Sequence, residues 1–255
     1  MNRNNWLVAA AVAAFLVSFV ALLPAHVALR WLVPPGVTIS GASGNIWRGT
    51  AVSAEFGRVR LGETSWRLSA FPLILGRLAA DLETRLGDSR ISGSVRLGLS
   101  GDIACTTCRF EGPLASLVTV FPALSTLDGR LALDLARLEI RAGWPVRAVG
   151  AARLTGVPLN APSGARNPQA PRSDLEASVS ADPVPADGVI EIAVQDSGGP
   201  MQLTARLVLT PPGSFEFSGN AKARPDAPAE ISRALSTLGR KAPDGSTELG
   251  LAGTF

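Results

Sequence analysis

Leu131-Ala-Leu-Asp-Leu135, entered through Asp128-Gly129, is the stretch on which the fold turns. Leucine at every second position lines one face of an extended chain, and Ala132 and Asp134 take the other. A helix would scatter the same leucines over more than half its circumference. Working outward, the period recurs. Ile190, Ile192 and Val194 alternate with Glu191 and Ala193, and Leu203, Leu207 and Leu209 are arranged around Arg206. Phe215 and Phe217 flank Glu216, and Leu249-Gly-Leu251-Ala-Gly253-Thr-Phe255 closes the chain in the same rhythm. Between the runs stand Asp187-Gly188, Ser197-Gly-Gly199, Pro211-Pro-Gly213 and Asp244-Gly245, which are turn residues. Strand, short turn, strand predicts a meander-like, largely antiparallel sheet.

Two stretches break the rhythm. Pro113 to Leu124 reads as a short helix with its proline in the first turn. Ala227 to Leu238 is the better helix, with Ile231, Leu235 and Leu238 on one side and Gly239 as its stop. Both are expected to cap sheet ends. From 158 to 172, Pro, Gly, Asn and Ser replace any apolar period, which reads as an exposed loop. That loop divides a first β region, 39–157, from a second, 173–255.

The N-terminus points to a membrane. Leu7 to Leu23 contains no charge and only Ser18 as a polar interruption. A helix of that length covers roughly 25 Å, a little less than a bilayer core. Ala25 to Val33 stays largely apolar, so the helix is expected to continue past Pro24, giving an anchor at 6–33 with Trp6 and Trp31 at its two interfaces. Arg3 lies in the short tip, 1–5, which the positive-inside rule assigns to the cytoplasm. The body then lies outside the cytoplasm, beyond a single span. A cleaved signal peptide is the competing reading, although neither Leu23-Pro24-Ala25 nor His26-Val27-Ala28 is a good cleavage site. The fold class is therefore mainly β: one N-terminal transmembrane helix, then an extended antiparallel sheet with one or two short helices.

Charge and chemistry narrow the function. The net charge is only +3, and Arg58, Arg60, Arg67, Arg77, Arg85, Arg90 and Arg96 are spaced among apolar residues as on the solvated face of strands. A nucleic-acid partner is not expected, since it would call for clustered basic residues. His26 is the one histidine and lies in or beside the membrane segment, so neither a triad base nor a set of soft metal ligands is at hand. Asp81 with Glu83, and Asp134 with Glu139, fit the outward face of strands better than an acid–base dyad. No glycine-rich loop has the lysine and strand–loop–helix setting that phosphates require. No catalytic residue, metal or cofactor is expected. Cys105-Thr-Thr-Cys108 would form a disulfide in an oxidising compartment, and its setting lacks the helix N-terminus of a thioredoxin-like site. Trp47, Trp66 and Trp144 read as packing residues, with an edge or groove meeting another chain or an acyl ligand as the alternative.

Ser43-Gly-Asn-Ile-Trp47-Arg-Gly49-Thr-Ala51 places a tryptophan between Gly44 and Gly49, as on a strand whose flanking glycines allow a close approach. This segment resembles the Ser-Gly-Thr-x-Trp-x-Gly-x-Ala motif of the type II secretion system protein N family. Trp66-Arg-Leu-Ser-Ala-Phe-Pro72-Leu-Ile-Leu75-Gly76-Arg-Leu78 is similar to that family's second patch. The sharp part of the resemblance is confined to 43–78, with Gly44, Trp47, Gly49, Trp66, Pro72 and Gly76 as its structural positions. It implies a non-enzymatic, single-pass inner-membrane accessory component of the secretion machine with a periplasmic β body, whose partners are other components of that system. The family is in turn similar in style to AsmA-like envelope proteins, which implies, as the alternative, an open β groove that binds or transfers lipid.

Overall fold

A computed structural model describes residues 23–27, 36–57, 59–74, 76–98, 100–119, 128–158 and 170–254. Six strands come first: β1 Val37–Ser40, β2 Ser43–Gly44, β3 Arg48–Ala51, β4 Ser53–Phe56, β5 Val59–Leu61 and β6 Thr64–Ser69. Helix α1, Ala70–Ile74, leads to β7 Arg77–Leu86, β8 Ser89–Gly98 and β9 Ile103–Pro113. Next are β10 Arg130–Arg141, β11 Trp144–Pro158, β12 Arg172–Ala181, β13 Ile190–Gly198, β14 Met201–Thr210 and β15 Ser214–Ala223. Helix α2, Ala229–Leu238, precedes β16 Arg240–Lys241 and β17 Thr247–Thr254.

Fourteen strands form one sheet in the order β16-β17-β15-β14-β13-β12-β11-β10-β9-β8-β7-β6-β3-β2, and β1-β4-β5 make a small second sheet. The long strands follow one another as an antiparallel meander, as the alternation predicts. The regions on either side of 158–172 are direct neighbours, with Pro158 opposite Arg172 and Val157 opposite Ser173. Residues 159–169 lie outside the described residues.

Register carries one apolar face across the sheet. Leu133 faces Phe110 on one side and Ala152 on the other, and Leu131 faces Leu154. Leu154 faces Leu175, Ala177 faces Val194, and Ile192 faces Leu207. The opposite face carries ion pairs: Glu83 with Arg90, Arg109 with Asp134, Arg153 with Glu176 and Arg206 with Glu191. These exposed pairs set register more than they add stability.

Helix α2 does not cap the end of the sheet. It lies on the apolar face, where Ile231 and Leu235, one turn apart, pack with Met201, Leu203, Ala205 and Ala221. The physical reason is that the i, i+4 pair needs a flat apolar partner, and the inward residues of β14 and β15 supply one. Pro113 ends β9 and is followed by a single 3-10 turn, Leu114–Leu117, in place of a longer α-helix; residues 120–127 lie outside the described residues. Among the described residues no second sheet covers the rest of the apolar face, and the sheet is open, with two-residue strands at both edges.

The turn into β17 is tied down by Asp244, whose Oδ1 accepts the Ser246 hydroxyl at 2.7 Å and the Ser246 N–H at 3.0 Å. The hydroxyl bond, helped by the N–H and by Lys222, holds this exposed carboxyl below the usual aspartate range. A depressed carboxyl stabilises the fold above its unfolded value, and that support is lost as pH falls through the folded value. The Ser246 amide resonance should therefore titrate at a pH below that of an ordinary aspartate, and Asp244→Asn should abolish the titration.

Candidate functional site

The motif residues build a tight hairpin from β2 and β3 around Asn45-Ile46-Trp47. Gly44 sits at φ +89°, and a Cβ there would run into the Arg48 carbonyl, so the position needs glycine twice over. The Asn45 N–H donates to the Arg48 carbonyl at 2.8 Å. Its side-chain Oδ1 accepts the Arg48 N–H at 2.8 Å and the Trp47 N–H at 3.1 Å, closing the turn as an Asx motif does. Gly49 stands opposite Trp66 in β6, and the indole ring fills the space a Cβ would take. A flat ring over a glycine in the next strand is a way of packing an otherwise bare edge.

Trp47 is thus not on a strand. It lies in the turn, half-buried, because Asn45 takes up its N–H and removes it from the ladder. Its carbonyl accepts the Leu68 N–H at 2.8 Å. Trp66 is the ring that exploits the glycine, and its Nε1–H donates to the Ile46 carbonyl at 3.2 Å.

The same turn holds the chain just after the N-terminal apolar run. The Ile46 N–H donates to the Leu23 carbonyl at 3.0 Å, and Pro24 forms an isolated antiparallel bridge with Asn45. One helical turn follows at 25–27. The expectation that an anchor helix runs unbroken through Pro24 is therefore corrected. Proline pushes the residue before it to extended backbone, and here that extended residue pairs with the motif. Among the described residues no helix is long and apolar enough to cross a membrane. Trp6, Trp31 and the rest of 6–33 apart from 23–27 lie outside the described residues. Neither Asn45 as the clamp nor Leu23-Pro24 as its guest was read from the sequence; Asn directly after Gly was the available signal.

Beyond β6, Pro72 sits in the first turn of α1, where a missing N–H costs nothing. Gly76 follows the helix at φ +66°. Five residues are too few to show a helical period, and the sequence reading placed no helix here.

On the polar face beside the hairpin, Arg48, Thr50, Ser65, Arg67, Asp81 and Glu83 line an open depression of about 680 Å³. Trp66 and Leu82 line it as well, so it is an open depression of mixed lining and not the enclosed, largely apolar wall of a small-molecule site. The carboxylates singled out above each take a partner other than a second carboxylate. Asp81 accepts the Ser94 hydroxyl at 2.5 Å, Glu83 pairs with Arg90, Asp134 with Arg109 and Glu139 with Arg147. Among the described residues no three His, Cys, Asp or Glu side chains come together as metal ligands.

Cys105 and Cys108 are joined by a disulfide within β9. The bond spans a bulge in which Thr107 takes φ +53°, opposite Gly93 of β8. No helix begins there, so the thiolate-stabilising dipole of a redox site is missing. A loop this short restricts the unfolded chain only modestly, worth about 2 kcal/mol. Cys105→Ser with Cys108→Ser should lower unfolding stability by about that amount in urea, and reductant should lower the natural chain by as much while leaving the double variant unchanged.

Comparison with known proteins bears on this architecture. Residues 35–250 match the family model described as Type II secretion system (T2SS), protein N. A Type II secretion system protein N of Vibrio cholerae is 34% identical over 154 residues, 58% of this chain and 61% of that protein. The matched part thus spans less than two thirds of that relative's length. A Type II secretion system protein N of Aeromonas hydrophila is 24% identical over 252 residues, 96% of this chain and 95% of that protein. No solved structure matches significantly.

Proposed function

We propose, from the premise that this chain belongs to the type II secretion system protein N family, that it is a non-enzymatic accessory of that system. In this reading Leu7–Leu23 anchors it in the inner membrane, and the β body stands in the periplasm and contacts other secretion components. The observation that carries the reading is the family match, which runs through nearly the whole sheet. The anchor is supported by the uncharged apolar run and by its docking on Asn45 and Ile46. For the contacts, β17 pairs with β16 only at Thr247 and Glu248. Among the described residues no strand lies beside the outer edge from Leu249 to Thr254, which suits strand addition by a partner. Deleting the gene should leave a secreted hydrolase in the periplasm, and photocrosslinkers along that edge should capture secretion subunits. Unchanged secretion with no captured subunit would sink the proposal.

The open apolar face favours a second reading, an AsmA-like groove that holds or transfers lipid. Half-buried Leu131, Leu133 and Leu135 have no covering layer among the described residues. Native mass spectrometry of detergent-free protein should then show bound phospholipid; its absence, with secretion lost on deletion, leaves the first reading alone.

A further inference from the structure

We infer that one end of the large sheet rests on the membrane surface, binding the anionic headgroups of the bilayer that holds Leu7–Leu23. This rests on the anchor reading above. The end in question is defined by the hairpin turn that grips Leu23 and Pro24. Trp47 of that turn bonds to Leu68, next to the end of β6, and α1 follows at once. Antiparallel register brings the start of β7, the end of β8 and the start of β9 to the same end, where Leu78, Leu97 and Ile103 lie side by side.

Exposure is concentrated there. Phe71 of α1 is 74% exposed, Leu97 41%, Ile103 40% and Leu78 38%. Large apolar side chains left open to water at one place mark a surface that meets something apolar. The opposite face of the same end carries Arg48 opposite Arg67, with Arg96 one row further on. Like charges directly opposite oppose pairing. Among the described residues none of the three arginines has a carboxylate within 4.0 Å, and Asp81, the acid nearest in register, is bonded to Ser94. Apolar side chains at the level of the acyl boundary, with arginines reaching phosphates beside them, is the chemistry of an interfacial surface. Continuity decides the occupant: the chain leaves the bilayer at Leu23 and is bonded at once to this end, so the nearest anionic and apolar material is that bilayer.

The test uses the full chain in vesicles of phosphatidylethanolamine with phosphatidylglycerol, body outward, with a quencher on the lipid headgroup side of the acyl chain. An environment-sensitive fluorophore is placed at Phe71→Cys or Leu97→Cys, and as control at Leu251→Cys, which is 63% exposed but on the opposite flank of the sheet. Circular dichroism checks that each variant keeps its strand content. The fluorophores at 71 and 97 should be quenched and the one at 251 should not. Arg48→Glu with Arg67→Glu, or omission of phosphatidylglycerol, should weaken the quenching roughly threefold or more. Equal fluorescence at 71, 97 and 251 in vesicle-bound chain, or quenching indifferent to charge, would overturn the inference while leaving the anchor intact. Failure of the unlabelled chain to float with vesicles after alkaline extraction would overturn the anchor reading and this inference with it.

Discussion

An Ile231→Ala chain should unfold with its stability lowered by about 2–5 kcal/mol, the largest effect expected of a single truncation here. Ile231 is 2% exposed and fixes α2 to the apolar face of β14 and β15, together with Leu235. Removing its branched side chain leaves a void bounded by Met201, Leu203 and Ala221, which strand backbones cannot collapse to fill. Because α2 is joined to β16 by Gly239 alone, its release should also loosen the β16–β17 edge. Urea unfolding in mild detergent gives the stability, and hydrogen exchange should report faster amides in β14, β15 and β17. Val52→Ala is the control: that valine is 70% exposed, and its loss should change stability by no more than about 0.5 kcal/mol. Equal losses for the two variants would refute the place given to α2.

Gly49→Val should be nearly as damaging and more specific. A side chain there meets the Trp66 ring and the Ser43 carbonyl, so either the indole leaves or β2 separates from β3. Overfilling of this kind costs about 1–3 kcal/mol. Displacing the indole also removes its bond to the Ile46 carbonyl, and Ile46 is the residue that holds Leu23. The expected signature is rapid protease cleavage between residues 27 and 43 while the distant β12–β15 amides keep their protection. Thr50→Ala, which loses only an exposed hydroxyl pair with Ser43, should leave that segment as resistant as before. If Gly49→Val resists protease equally, the clamp is not what holds the chain there.

The legible parts were those with a period. Leu131 to Leu135 and Ile190 to Val194 announced both strand and apolar face, and β10 and β13 carry that alternation, with Ile190 buried and the others half-buried. The glycines of the motif announced close approach, but not which ring would come. Trp47 was the nearer in sequence, while Trp66, 17 residues on, is the one that the β3–β6 register brings over Gly49. The anchor's passage through Pro24 was misread because apolar composition continues beyond it, whereas the proline backbone and the partner on Asn45 decide the conformation.

By itself, the sequence determined the type of β10, β13, β14, β15, β17 and α2 and the side on which the leucines of those strands lie, since a period of two is a local property of an extended chain. It also carried the family motif and the scarcity of groups able to do acid–base or metal chemistry. Tertiary structure alone decided that the two β regions share one open sheet, that α2 lies on its face, and that Leu23 is bonded to the motif turn. Those outcomes depend on which distant backbone groups pair and which apolar surfaces meet. Pairing and docking are settled by geometry summed over many strands, and no short stretch of residues contains it.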